Sequence, residues 1–84
     1  MDKVIKCLLL DVDNVIISEV EEVDAPIGDP NCKLIKPYRF YDEDRMEPWP
    51  NATDQEELML RAEDILTIAE PTPEVIEQYL KLTS

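Results

Sequence analysis

The chain has 84 residues and carries 20 acidic against 8 basic side chains, a net charge of −12 with no histidine. A chain of this length forms one domain and buries only about 60–65% of the surface its unfolded form exposes, so a subunit interface would help it. The acidic balance opposes phosphate backbones and anionic membranes, and the missing histidine removes the commonest general base and metal ligand.

Hydrophobic content of 44% is that of a folded protein rather than a disordered one. Cys7 and Cys32 each lie inside an apolar run, which fits free thiols of a reducing cytoplasm better than a disulfide scaffold. No signal peptide or membrane-length apolar stretch is visible, and the expected location is cytoplasmic.

Residues 4–11 read as a buried strand, ending in the turn-forming Asp11-Val12-Asp13-Asn14. Residues 14–22 follow as the second strand of a hairpin, with Asn14 suited to positive φ. Val15 and Ile17 fall on one face, Ile16, Ser18 and Val20 on the other. Residues 24–31 hold two prolines, the single glycine and several Asx residues, and form a loop. A third strand spans 32–40, with Cys32, Leu34, Tyr38 and Phe40 on one face; Pro37 marks an edge strand, a bend or a bulge. A fourth strand is expected over about 46–60, made irregular by Pro48 and Pro50, with Trp49 burying most of its ring.

Leu58 and Leu60 stand two apart, as on one strand face. Arg61-Ala62-Glu63-Asp64 then turns the chain into a β-branched and apolar last strand at 65–70, which Pro71 ends. Thr72 caps and Pro73 opens a helix over about 73–82, with the stripe Val75, Tyr79, Leu82 flanked by Ile76 and Leu80. Such a short helix is not stable alone and must dock on the sheet or on a neighbouring subunit. The fold class is therefore mainly β, five short strands and one C-terminal helix.

Three stretches carry chemistry by pattern. A buried strand running into Asp11-x-Asp13 resembles the first motif of haloacid-dehalogenase phosphatases, but that doubly wound fold needs far more chain, and hairpin turn chemistry explains the same residues. Residues 11–22 imitate a calcium loop yet place Ile16 where the loop needs glycine. No catalytic residue, metal site or cofactor is assigned. Residues 33–41 interleave Lys33, Lys36 and Arg39 with Tyr38, Phe40 and Tyr41, a mixture able to stack bases and touch phosphates, or to guard a sheet edge and fill a core.

The string Leu60-Arg61-Ala62, two residues, then Ile65-Leu66-Thr67-Ile68 resembles the second Sm motif, with alanine where that motif carries glycine. Asn31-Cys32-Lys33-Leu34 resembles the Asn-x-x-Leu closing the first Sm motif, although Ile27 stands where an acid would and Asn14 where a glycine would. Over nearly its whole length the chain is similar to small Sm-like proteins from ocean metagenomes of cyanophage origin, through "IISEVEEVD", "KLIKPYRF", "MEPW" and "ILTIAEPTPEVIEQYLKL". That resemblance implies a strongly bent five-stranded antiparallel sheet, nearly a small open barrel. It further implies a homo-oligomeric ring, a pentamer favoured, that is not an enzyme. Single-stranded RNA would bind at the ring opening through Arg61 and Asn31, with Lys33 assisting. The alternative is a phage accessory or scaffold module that binds protein partners through an acidic surface.

Overall fold

The computed structural model describes residues 4–42, 45–50 and 52–83. Among these residues six strands and one α-helix follow in chain order: β1 (Ile5–Leu9), β2 (Val15–Glu22), β3 (Cys32–Asp42), β4 (Arg45–Pro48), β5 (Glu57–Leu60), β6 (Thr67–Ala69) and α1 (Pro73–Thr83). All strand pairings are antiparallel, in the order β4-β3-β2-β1-β6, with β5 also paired to β3. The protein is mainly β, as its sequence pattern indicates. The single strand expected over 46–60 is interrupted: β4 pairs the far half of β3 and β5 its near half, and residues 49–50 and 52–56 belong to neither strand. Pro48 and Pro50 supply no amide hydrogen to a ladder, which accounts for the break.

The first hairpin forms where expected but by a different turn. Asn14 does not take positive φ; its backbone amide and side-chain amide both donate to the Asp11 carboxylate, at 2.9 and 2.7 Å. Asp13 N donates to the same carboxylate at 2.8 Å, so Asp11 builds the turn by itself.

β3 decides the shape of the sheet. Between the pairs Ile17↔Tyr38 and Glu19↔Ile35, β2 contributes one intervening residue and β3 contributes two. The extra residue is a β-bulge at Lys36-Pro37, and Lys36 sits at φ 52°, the one described non-glycine residue with positive φ. Pro37 is therefore in an interior strand, tolerated because the bulge takes it out of the ladder. The bulge also corrects the face assignment of the third strand. Cys32 and Leu34 pack with Leu8 and Ile16 in one core cluster, whereas Tyr38 and Phe40 pack against Ile17, Met46, Val75 and Tyr79 in another. An inserted residue switches the side-chain alternation, so one strand serves both faces.

The helix covers the second cluster. Thr72 caps it, its Oγ1 accepting from Val75 N at 3.3 Å. Val75 and Tyr79 are buried, while Leu80 and Leu82 at the far end stay 40% exposed, so the docked stripe is shorter than the spacing indicates. The Tyr79 hydroxyl reaches into the bulge. It accepts from Glu19 N at 3.1 Å and faces the carbonyl oxygens of Ile35 and Lys36, both at 2.9 Å. Ser18, fully buried beside it, donates to the Glu19 and Ile35 carbonyls at 2.8 and 3.1 Å. The backbone groups at the bulge are thus satisfied by these side chains together with Lys36 N donating to Glu56 O at 2.6 Å and Trp49 N to Pro37 O at 2.9 Å, as buried polar groups require.

Candidate nucleic-acid interface

The loop after β2 and the turn after β5 meet at one end of the sheet. Asn31 makes the junction: its backbone N donates to Leu60 O at 3.1 Å, its carbonyl accepts from Val23 N at 3.1 Å, and its Oδ1 accepts from Ala62 N at 3.0 Å. Arg61, with φ −82° and ψ 136°, leads into a single 3₁₀ turn at Ala62–Asp64, closed by Asp64 N to Arg61 O at 3.0 Å and Ile65 N to Ala62 O at 3.1 Å. No positive φ is needed at Ala62, so alanine replaces the motif glycine without backbone strain.

The two residues expected at one site, Asn31 and Arg61, therefore stand at one junction, 30 positions apart in sequence and linked through Leu60 and Ala62. Lys33 lies on β3 opposite Met59 of β5 and Glu21 of β2. Its environment differs from the expected one. The Lys33 ammonium is held by Glu57 at 2.6 Å, and that hydrogen bond pushes its pKa up. Arg61 is likewise engaged: Nε donates to Asp64 Oδ2 at 3.0 Å and Nη2 to Asp64 Oδ1 at 3.4 Å, which holds its pKa above the usual guanidinium value. Both groups stay charged at any ordinary pH, and an anion would bind here by displacing a carboxylate. Solvent-exposed ion pairs of this kind contribute little and exchange readily.

Carboxylates engage three more of the described cations in the same way. Lys6 pairs with Glu70, Arg45 with Glu47 at 3.2 Å and Lys81 with Glu77 at 3.4 Å. At the far end of β3, Arg39 and Arg45 both lie over the Tyr41 ring, their guanidinium carbons 5.0 and 4.4 Å from its centroid, and Arg39 donates to Asp13 O at 3.3 Å. The basic and aromatic residues of 33–41 are thus distributed over both ends and both faces of a bulged strand. They do not form one continuous surface.

The Asp11-x-Asp13 pattern resolves as turn structure. The Asp11 carboxylate accepts three hydrogen bonds from Asp13 and Asn14, and the Asn14 side-chain amide is the leading cause that holds its pKa below the usual carboxylate value. Three of its acceptor sites are taken by amide groups of the chain itself. With magnesium and a generic phosphomonoester, wild type and Asp11→Asn are both expected to show no turnover in a phosphate-release assay. Hydrolysis that Asp11→Asn abolishes would overturn this reading. Among the described residues no group of three or more Cys, Asp or Glu side chains is placed to hold a metal ion. No helix among them is long and apolar enough to cross a membrane.

An open antiparallel sheet, one docked helix and a loop junction at Asn31–Ala62 define the class: a small mainly β protein with a terminal helix. The chain belongs to the family of unknown function DUF6561, whose sequence profile it matches over residues 3–84. No curated protein matches it.

Proposed function

We propose that this protein is an Sm-like subunit of a homo-oligomeric ring, a binding module rather than an enzyme, that holds single-stranded RNA weakly at the ring opening. The observation that carries the reading is the Asn31–Ala62 hydrogen bond, which joins the loop after β2 to the turn after β5, the pair of connections that would line the opening of an Sm-like ring. The strand course supports the same reading. Taken as one interrupted strand, β4 and β5 make the sheet five-stranded, and β6 returns to β1, as a bent, nearly closed sheet requires. In such a ring each subunit repeats Arg61 around the opening, where its guanidinium plane offers a stacking surface for a base.

The chain's own charge sets the strength. A ring of subunits that each carry −12 repels phosphate at long range, and RNA must displace Asp64 from Arg61. Fluorescence anisotropy with U-rich and A-rich single-stranded RNA is expected to give dissociation constants of about 1–100 μM at low salt, nearly lost at physiological salt. Arg61→Ala is expected to weaken binding by about tenfold or more. Tight binding unaffected by Arg61→Ala would show that RNA binds elsewhere, and absence of binding to every oligonucleotide at low salt would sink the RNA reading.

A second reading has its own observation. Lys33 and Arg61 are both neutralised by carboxylates of the same chain, at Glu57 and Asp64. A surface that pairs its cations internally and leaves acids exposed suits a basic protein partner, as a phage accessory or scaffold module would use it.

A further inference from the structure

A cleft of about 520 Å³ opens where three elements diverge: the bulge of β3, the loop that separates β4 from β5, and the last turn of α1. This volume lies within the range of small-ligand sites. Its apolar wall is made by Trp49, Tyr38, Pro48 and Leu82. Trp49 is largely covered, as the sequence reading expects; it packs on the Leu8–Leu34 cluster and lines the cleft as well.

The polar side of the cleft is acidic. Asp54 and Glu56 both line it, and neither carboxylate makes an ion pair or hydrogen bond with a described residue. Like most acids of this chain they have no basic partner, because every described lysine and arginine is already engaged; what distinguishes them is their place in the cleft lining. Lys36, the one basic residue of the lining, donates its ammonium to Thr83 O at 3.2 Å, at the negative end of the helix dipole. Two unpaired carboxylates beside an indole and a phenol form a receptor for an organic cation with a planar or apolar body.

We infer that this cleft docks an arginine side chain of a basic peptide, the guanidinium stacked on Trp49 and paired with Asp54 and Glu56. The inference rests on the partner-binding reading and gives it a location. The guanidinium suits the site better than an ammonium does, since it can stack on the indole while it donates in its own plane to two carboxylates. Long-range attraction by the −12 chain would draw such a peptide in, and the cleft would fix where it lands.

Trp49 is the chain's single tryptophan, so its fluorescence reports on its immediate surroundings, this cleft and the adjoining hollow beside Arg39, Tyr41 and Glu47, and the carboxylate variants below tell the two apart. A blocked tri-arginine peptide titrated into the full-length protein at low salt is expected to change Trp49 emission saturably, and a blocked tri-alanine peptide to leave it unchanged. Asp54→Asn combined with Glu56→Gln is expected to weaken the arginine peptide about tenfold. Both side chains are exposed, so the double variant keeps the core intact. Asp24→Asn combined with Glu74→Gln removes the same charge elsewhere and is expected to weaken binding less than about twofold. Equal losses in the two double variants would overturn the cleft and leave the partner-binding reading standing on diffuse charge. No binding of the arginine peptide by any readout, calorimetry included, would overturn both.

Discussion

Tyr79→Phe is expected to lower the unfolding free energy by about 1–3 kcal/mol, the usual effect of leaving buried backbone groups without a partner. In a domain of this size that corresponds to a drop of about 4–24 °C in the thermal midpoint. The ring stays in place, edge-on to Tyr38 with centroids 5.9 Å apart, so hydrophobic burial is nearly unchanged and the hydroxyl is isolated as the cause. What is lost is the acceptor for Glu19 N and the donor toward the Ile35 and Lys36 carbonyls, all inside the bulge that bends the sheet. Thermal and urea unfolding followed by circular dichroism measure the change. An unaltered midpoint would mean that the hydroxyl does not hold the bulge.

The same group contributes to the alkaline limit of stability. Burial raises the pKa of Tyr79 above 10.0 and those of Cys7 and Cys32 above 9.0. In each case the folded state holds its proton more tightly than the unfolded state. The stabilisation is complete below the unfolded pKa and is lost as pH rises through the folded pKa. Stability is therefore expected to fall above about pH 9, and less steeply in Tyr79→Phe, which lacks one of the three groups.

On the proposed ring reading, Ile68→Lys is expected to leave a 9.7 kDa monomer in place of the assembly. Among the described residues, the outer edges of β5 and β6 carry no partner strand. Met59 on β5 is 44% exposed, and on the β6 side Leu66 and Ile68 are 67% and 50% exposed. Two unpaired edges with apolar side chains at opposite margins of one sheet invite β5 of one copy to pair with β6 of the next, a head-to-tail contact that repeats until it closes. A lysine at such an edge opposes pairing without removing a core side chain. Light scattering at micromolar concentration checks both species. A wild-type mass of 9.7 kDa would sink the ring, and an Ile68→Lys protein that remains assembled would place the interface elsewhere.

The elements themselves were legible in the amino-acid pattern. The strands at 5–9, 15–22 and 32–42, the last strand near 67–69, the cap at Thr72 and the helix from Pro73 all follow from alternation, turn residues and capping chemistry, which act over a few neighbouring residues. The candidate site was legible in part: Asn31 and Arg61 were singled out by short motifs, and the fold joins their loops through Ala62. Other features depended on groups distant in sequence. Pro37 marks an irregularity, but only the pairing of β3 with β2 places the extra residue at Lys36 and moves Tyr38 and Phe40 to the opposite core from Leu34. The stripe on α1 identifies Tyr79 as apolar, yet its hydroxyl finds its partners some 43 to 60 residues away. The partners of Lys33 and Arg61 had no signal to select them among 20 acids, and which acids remain unpaired beside Trp49 was fixed only when the strands aligned. Local chemistry specifies φ, ψ and side-chain period, while the facing of one strand, the satisfaction of its bulge and the pairing of its charges are properties of the assembled sheet.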